Sequence, residues 1–203
     1  MLESLIIISP KEFHPGISAI FQNANPSIEI ICTESIVDLA LLDQAVFKRS
    51  RLISFFNEFI VPPTILKLLG YGGVNFHPGP PSLPGHAPYS FAIYQEAKTH
   101  GVTAHEMLDR VDSGQIIAVE TFPIPDLCNH TQLIHICIEV GAKLLKKLAL
   151  DLTIEKQLPF IQISWGQNKS TKAQYAQMSE LKIDLSAEEL SRRRRAFGEN
   201  AAF

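Results

Sequence analysis

The chain has 203 residues, 46% of them hydrophobic and 19% charged, with a formal net charge of -3. That balance excludes a disordered chain and argues against a general nucleic-acid surface, and the length suits one well-cored domain rather than two full ones. The three cysteines, Cys32, Cys128 and Cys137, form no C-x-x-C pair and, being odd in number, supply no disulfide framework; a reducing, cytoplasmic setting is expected. The start Met1-Leu2-Glu3-Ser4 is acidic, its apolar run is too short for a signal peptide, and no later stretch approaches the length of a membrane span.

In chain order, residues 5–8 form a continuous β-branched run that reads as a strand buried on both faces, as in parallel sheets. A helix over 17–22, a strand over 28–32 and helix-like spacing over 35–47 follow. The alternation continues with a strand over 51–56, a short helix over 63–69 with proline in its first turn, and a strand over 73–77. Such a succession calls for a mostly parallel sheet with right-handed crossovers and helices on both faces. Residues 78–88 hold Pro78, Gly79, Pro80, Pro81, Pro84, Gly85 and Pro88, a density that permits only a loop. A helix over 89–98 precedes strands over 102–107 and 115–122, joined by a turn around Asp112-Ser113-Gly114. Residues 131–150 show the clearest helical stripe: Leu133, Ile134, Cys137, Ile138, Gly141, Leu144, Leu145 and Leu148. Beyond Pro159 the composition turns polar, which divides the chain into a catalytic domain over 1–160 and a short C-terminal extension over 161–203. The extension carries the sole tryptophan, Trp165, read as a packing anchor or a surface for stacking a base or sugar. It also carries four consecutive arginines, Arg192 to Arg195, read as a solvated helix end or a phosphate contact.

Asn75 and His77 stand two apart in a strand, so their side chains share one face. Asp112, in a polar turn between two apolar runs, can return to that face and supply the carboxylate that orients a histidine. An amide donor, a titratable imidazole and a carboxylate meet the needs of acyl transfer between nitrogens: oxyanion stabilisation by Asn75, with proton exchange at His77. Asp112 is expected to favour imidazolium at His77 and to take a proton from the incoming ammonium. His105 alternates with Thr103 and Met107 and reads as a packed or hydrogen-bonded strand histidine, and His86 lies in the loop where it can meet substrate. Seven histidines form no H-x-x-x-H or H-E-x-x-H pair, so no metal is expected.

The ordered set Asn75-Phe76-His77-Pro78, the Pro/Gly loop, Gly101-Val102-Thr103-Ala104-His105 and Asp112-Ser113-Gly114-Gln115-Ile116 resembles the folate-dependent formyltransferase family over about residues 50–150. The resemblance implies a Rossmann-like α/β formyltransferase fold, Asn75, His77 and Asp112 as the catalytic triad, and 10-formyltetrahydrofolate as the formyl donor. It places the pterin slot at 56–60 and 109–111, bordered by the loop 81–85. Phe56, Phe59, Ile60, Leu83, Pro84, Asp109 and Val111 are then donor-binding candidates, with His86 and Tyr89 facing the acceptor. Relatives commonly carry serine after His-Pro, where this chain has Gly79. The segment after the first strand, Ser9-Pro10-Lys11, lacks the glycine-rich phosphate loop of the glycinamide ribonucleotide enzymes, and the length leaves no room for the further β-barrel of methionyl-tRNA formyltransferases. The expected acceptor is therefore an amino sugar nucleotide or another small primary amine. Hydrolysis of the formyl donor, a methionyl-tRNA formyltransferase-like role and a non-catalytic folate-binding or partner-binding domain are the alternatives. By analogy with relatives, the C-terminal elements could support a homodimer.

Overall fold

The computed structural model describes residues 1–154, 157–182 and 184–198; the end of the expected extension, 199–203, lies outside the described residues. The elements are β1 (Ser4–Ile8), α1 (His14–Ala24), β2 (Glu29–Thr33), α2 (Ile36–Ala40), α3 (Gln44–Arg49), β3 (Ser50–Phe55), α4 (Pro63–Leu66), β4 (Gly73–His77), α5 (Pro88–Tyr94), β5 (Thr99–Glu106), β6 (Ile116–Pro123), α6 (His130–Ile154), α7 (Lys172–Ser179) and α8 (Ala187–Phe197). Six strands form one sheet in the order β2-β1-β3-β4-β5-β6, in which β1 to β4 run parallel while β5 and β6 are antiparallel to their neighbours. The mostly parallel α/β sheet expected from the sequence is the one observed.

Both faces of the sheet are covered, because side chains alternate along each strand. Leu5, Ile7, Ile53, Val74 and Phe76 enter a large core built with α1, α5, α6 and α8. Ile6, Ile8 and Leu52 face the opposite way, into a smaller cluster with Leu39, Phe47 and Ile65 from α2, α3 and α4. Full burial of one such aliphatic side chain contributes about 2 kcal/mol. The smaller cluster has only short helices over it and ends before the strands do. Ser54, Asn75, His77, Thr103 and His105 continue the same face beyond that cluster, and three of them are neighbours across β3, β4 and β5: Ser54 pairs with Asn75, and Asn75 with His105. The fold thus leaves a row of polar side chains where apolar cover stops.

Three helices differ from the sequence reading. The stretch 35–47 divides, because the Asp43 side chain accepts a hydrogen bond from Ala45 N and starts α3 afresh after the exposed Leu41. The helix expected over 63–69 ends at Leu66, and the one over 89–98 ends at Tyr94, where Glu96 takes a φ of 54°.

Arg51 is the largest fully buried side chain, pointing from β3 to the α6 side of the sheet. Its Nε donates to Tyr71 O (3.1 Å) and its Nη1 to Leu152 O (2.7 Å), so the guanidinium caps the carbonyl end of α6, where a positive charge is favoured. On the same face His100, 1% exposed, donates Nε2–H to Pro78 O (3.0 Å), while Thr103 Oγ1 on the other face donates to Gly79 O (2.7 Å). β5 therefore grips the start of the proline-rich loop from both sides.

Replacing Arg51 with alanine strands carbonyls at the end of α6, and urea unfolding is expected to show a loss of about 3 kcal/mol. Burial pushes His100 down to about 4, against the favourable bond to Pro78 O. The unfolded chain takes up a proton near pH 6.5 that the folded chain refuses until about pH 4, so stability falls as pH drops through this window, by about 3 kcal/mol for this residue. Denaturation midpoints measured from pH 7 to pH 4 should fall less steeply in His100→Leu than in the wild type.

Candidate active site

Asn75 and His77 leave β4 on the same face, and the loop 78–88 folds back over them. Its turn is closed by Leu83 N donating to Pro80 O (3.0 Å), which turns the Leu83 carbonyl toward His77, where it lies 2.9 Å from Nε2. A carbonyl only accepts, so Nε2 carries the proton and Nδ1 holds the lone pair. Gly79 lies so close beneath the ring that a Cβ there would stand 2.6 Å from His77 Nε2 and 2.7 Å from Pro88 Cβ. Glycine at 79 is thus a steric requirement of this loop.

Asp112 returns to the same place from the β5–β6 turn and is 4% exposed. Its Oδ2 accepts from Gly85 N (2.7 Å) and lies 3.6 Å from His77 Nδ1; its Oδ1 lies 3.3 Å from His105 Nε2. Burial works against the charge of Asp112, yet the His105 contact, the two imidazoles and the Gly85 N–H outweigh it and bring the carboxyl down to about 2. Burial also dominates at His77, where it outweighs the pull of Asp112 and the Leu83 bond and lowers the imidazole below its ordinary value. The carboxylate is permanently ionised near neutrality and the imidazole is neutral. Asp112 does favour imidazolium as the sequence suggested, but burial reverses the net balance, and a carboxylate titrating near 2 is a poor proton acceptor.

His105 belongs to this cluster, which its strand alternation alone did not reveal. Its Nδ1 lies 2.8 Å from Glu106 O, and its Nε2 is 3.1 Å from Asn75 Nδ2. Asn75 also lines the cavity, and its Nδ2 carries two hydrogens. A register shift at Ala104/His105 in the β5–β6 pairing sits at this residue, as bulges near functional groups commonly do.

The cluster opens onto a cavity of about 530 Å³ that bends over the carboxyl ends of β1, β3 and β4, where open α/β sheets bind ligands. Of the donor-binding candidates, Phe56, Phe59, Ile60 and Val111 line it, as do His86 and Tyr89. Phe59, Ile60, Leu108 and Val111 expose large apolar surfaces at this wall. Leu83, Pro84 and Asp109 stand outside the wall. Leu83 and Pro84 act through their carbonyls, on His77 and on Ser170, and Asp109 pairs with Lys67 on the surface (4.0 Å). Burial pushes the Tyr89 phenol up to about 12, so it remains a donor, and His86 meets Tyr175 edge to face at 5.2 Å. Among the described residues no group of three His, Cys, Asp or Glu side chains could hold a metal, and no helix is long and apolar enough to cross a membrane.

The chain after α6 contributes to this region in ways its polar composition did not announce. Ser170 pairs with the loop, its N donating to Pro84 O (3.0 Å) and its O accepting from His86 N (3.0 Å), while Lys169 Nζ donates to Val111 O. Gly85 adopts a φ of 103°, and a Cβ there would meet Ser170 O at 2.2 Å, so this crossing depends on glycine. Within the arginine run, Arg192 and Arg193 pair with Glu189, Arg192 lies 4.7 Å over the Tyr94 ring, and Arg195 reaches Glu96 (3.5 Å). The Tyr94 and Glu96 contacts hold α8 against the end of α5.

Residues 52–146 match the family model described as formyl transferase. A methionyl-tRNA formyltransferase of Orientia tsutsugamushi is 32% identical over 126 residues, which is 62% of this chain and 39% of that protein; the chain thus spans about two fifths of its length. In fold, a sugar N-formyltransferase from a Shewanella species aligns with a TM-score of 0.77 at 19% identity, covering 97% of this chain and 88% of the other. The N-formyltransferase from Helicobacter canadensis, solved in complex with folinic acid and dTDP-3-aminofucose, aligns with a TM-score of 0.73 at 16% identity over 97% of this chain and 81% of its own. Over residues 52–146 the chain thus matches the formyl transferase family, and its fold is that of the formyltransferases it aligns with.

Proposed function

We propose that this chain transfers a formyl group from 10-formyltetrahydrofolate to the primary amine of a small acceptor. The observation that carries the reading is the placement of Asn75, a neutral His77 and an ionised Asp112 together at the edge of one cavity with an apolar wall. Phe56, Phe59, Ile60 and Val111 suit the flat pterin of the donor, and His86 and Tyr89 border the space left for the amine. The family match and a fold neighbour that binds folinic acid and an amino sugar nucleotide support both halves of this assignment. Alignment in fold with sugar N-formyltransferases over 97% of this chain supports a small acceptor.

The chemistry follows from the protonation states. The amine lone pair attacks the formyl carbon, and the carbonyl π pair moves to oxygen, which Asn75 Nδ2–H stabilises. Nδ1 of His77, the basic atom fixed by the Leu83 contact, takes the proton that the attacking nitrogen must lose. The resulting imidazolium stands 3.6 Å from Asp112, whose charge stabilises it without itself being protonated. Collapse of the tetrahedral centre breaks the bond to N10 of the folate, and the proton returns from Nδ1 to that nitrogen. One C–N bond forms, one breaks, and no external acid is needed.

Asn75→Ala removes one oxyanion donor and is expected to lower kcat by roughly a hundredfold or more, with folate binding measured by calorimetry kept within a few-fold. Asp112→Asn keeps the shape and removes the charge, for an expected loss of about a thousandfold. The assay is release of tetrahydrofolate across a panel of amino sugar nucleotides and simple primary amines. Formate released without any acceptor would assign hydrolysis instead, and folate binding with no turnover of any kind would make the domain a binding module.

A further inference from the structure

We propose that Trp165 is a positioning residue for the paired imidazoles of His77 and His105, holding both rings from the side away from the substrate and keeping water off them. The indole meets His105 edge to face with centroids 4.8 Å apart at 86°, and meets His77 at 5.6 Å and 78°. It stands outside the cavity wall, so it reaches the reaction only through those rings. Each histidine is 3% exposed although both border a large cavity.

The indole is itself fixed. Its Nε1 donates to Gly114 O (2.8 Å), two residues from Asp112, so the ring that holds the histidines is tied to the turn that carries their carboxylate. The adjacent Gly166 N donates to Pro81 O (2.8 Å), and Ile161 N donates to Ile116 O (2.8 Å). Together with the Lys169 and Ser170 contacts, residues 161–171 form a strap that joins the proline-rich loop, the Asp112 turn and the start of β6. Edge-to-face pairs of aromatic rings contribute about 0.5–1.5 kcal/mol beyond burial, and here one indole makes two such contacts. Excluding water from the imidazoles is also what keeps protonation of His77 costly.

The kinetic consequence rests on the proposed formyl transfer; the imidazole measurement does not. Histidine-labelled protein, with His77 and His105 assigned from His77→Asn and His105→Asn spectra, is titrated by NMR in the wild type, Trp165→Ala and Trp165→Phe. The alanine variant is expected to lose the ring-current shift of both imidazoles and to raise the His77 midpoint by about one pH unit, whereas phenylalanine restores most of both effects. With an amine that the wild type formylates, Trp165→Ala is expected to lower kcat about tenfold while KM for 10-formyltetrahydrofolate stays unchanged. If Trp165→Ala does not fold, Trp165→Leu takes its place, with the same directions and smaller shifts expected. A folded ring-free variant in which both imidazoles titrate and resonate as in the wild type would overturn the proposal. Absence of formyl transfer by the wild type would overturn the reaction assignment and leave the imidazole result standing.

Discussion

Burying a carboxylate costs several kcal/mol unless its oxygens find partners, and groups from three different segments converge on Asp112. Gly85 supplies a loop N–H, His105 reaches it from β5, and His77 faces it from β4. Removing the negative charge would leave each of those segments with one reason fewer to be where it is. The loop would lose its clamp at Gly85, and an imidazolium formed at His77 would lose its counter-charge. The geometry of the site is therefore a solution to one electrostatic problem, set by a residue in a surface turn and met by the ends of the sheet.

The backbone around the cavity carries a cost of its own. Phe56, Ala87 and Asp112, all in the cavity wall, have φ values of 49°, 49° and 44°. Side chains in this left-handed region cost about 1–2 kcal/mol each, and Ala87 adopts it immediately before a proline, a further restriction. The rest of the fold offsets this through the two apolar layers and through anchors such as His100 on Pro78 and Thr103 on Gly79. Strain concentrated at one rim, over a sheet that is rigid on both faces, matches a site whose groups are set before substrate arrives.

Much of this was legible in sequence because period-two alternation is a local property. Asn75 and His77 on one face, the loop forced by seven prolines and glycines, and Asp112 in a returning turn follow from neighbours along the chain. His105 was not recognised because its role depends on register. Only the antiparallel pairing of β4 with β5 sets it opposite Asn75, and a slip of one residue would turn it to the other layer. Arg51 reads as an ordinary strand residue until the end of α6, a hundred residues later, arrives beside it. Trp165, Lys169 and Ser170 lie in a polar stretch with no periodicity, and what they contribute is made largely of main-chain contacts to distant loops, which composition does not encode. The break at Asp43 was available as a helix-capping signal and was hidden by the apolar spacing on either side.

The contact between His77 and Leu83 has an evolutionary side. The group that selects the imidazole tautomer is a peptide carbonyl, so no side chain between 80 and 84 is needed to maintain it. Substitutions in that span can change the outer surface of the loop while the proton stays on the same nitrogen. Insertions and deletions are another matter, since a change of one residue would carry the carbonyl out of reach and leave the ring free to turn. In this segment, drift in residue identity and drift in loop length should have opposite fates, and the loop surface can diversify through the first without disturbing the imidazole.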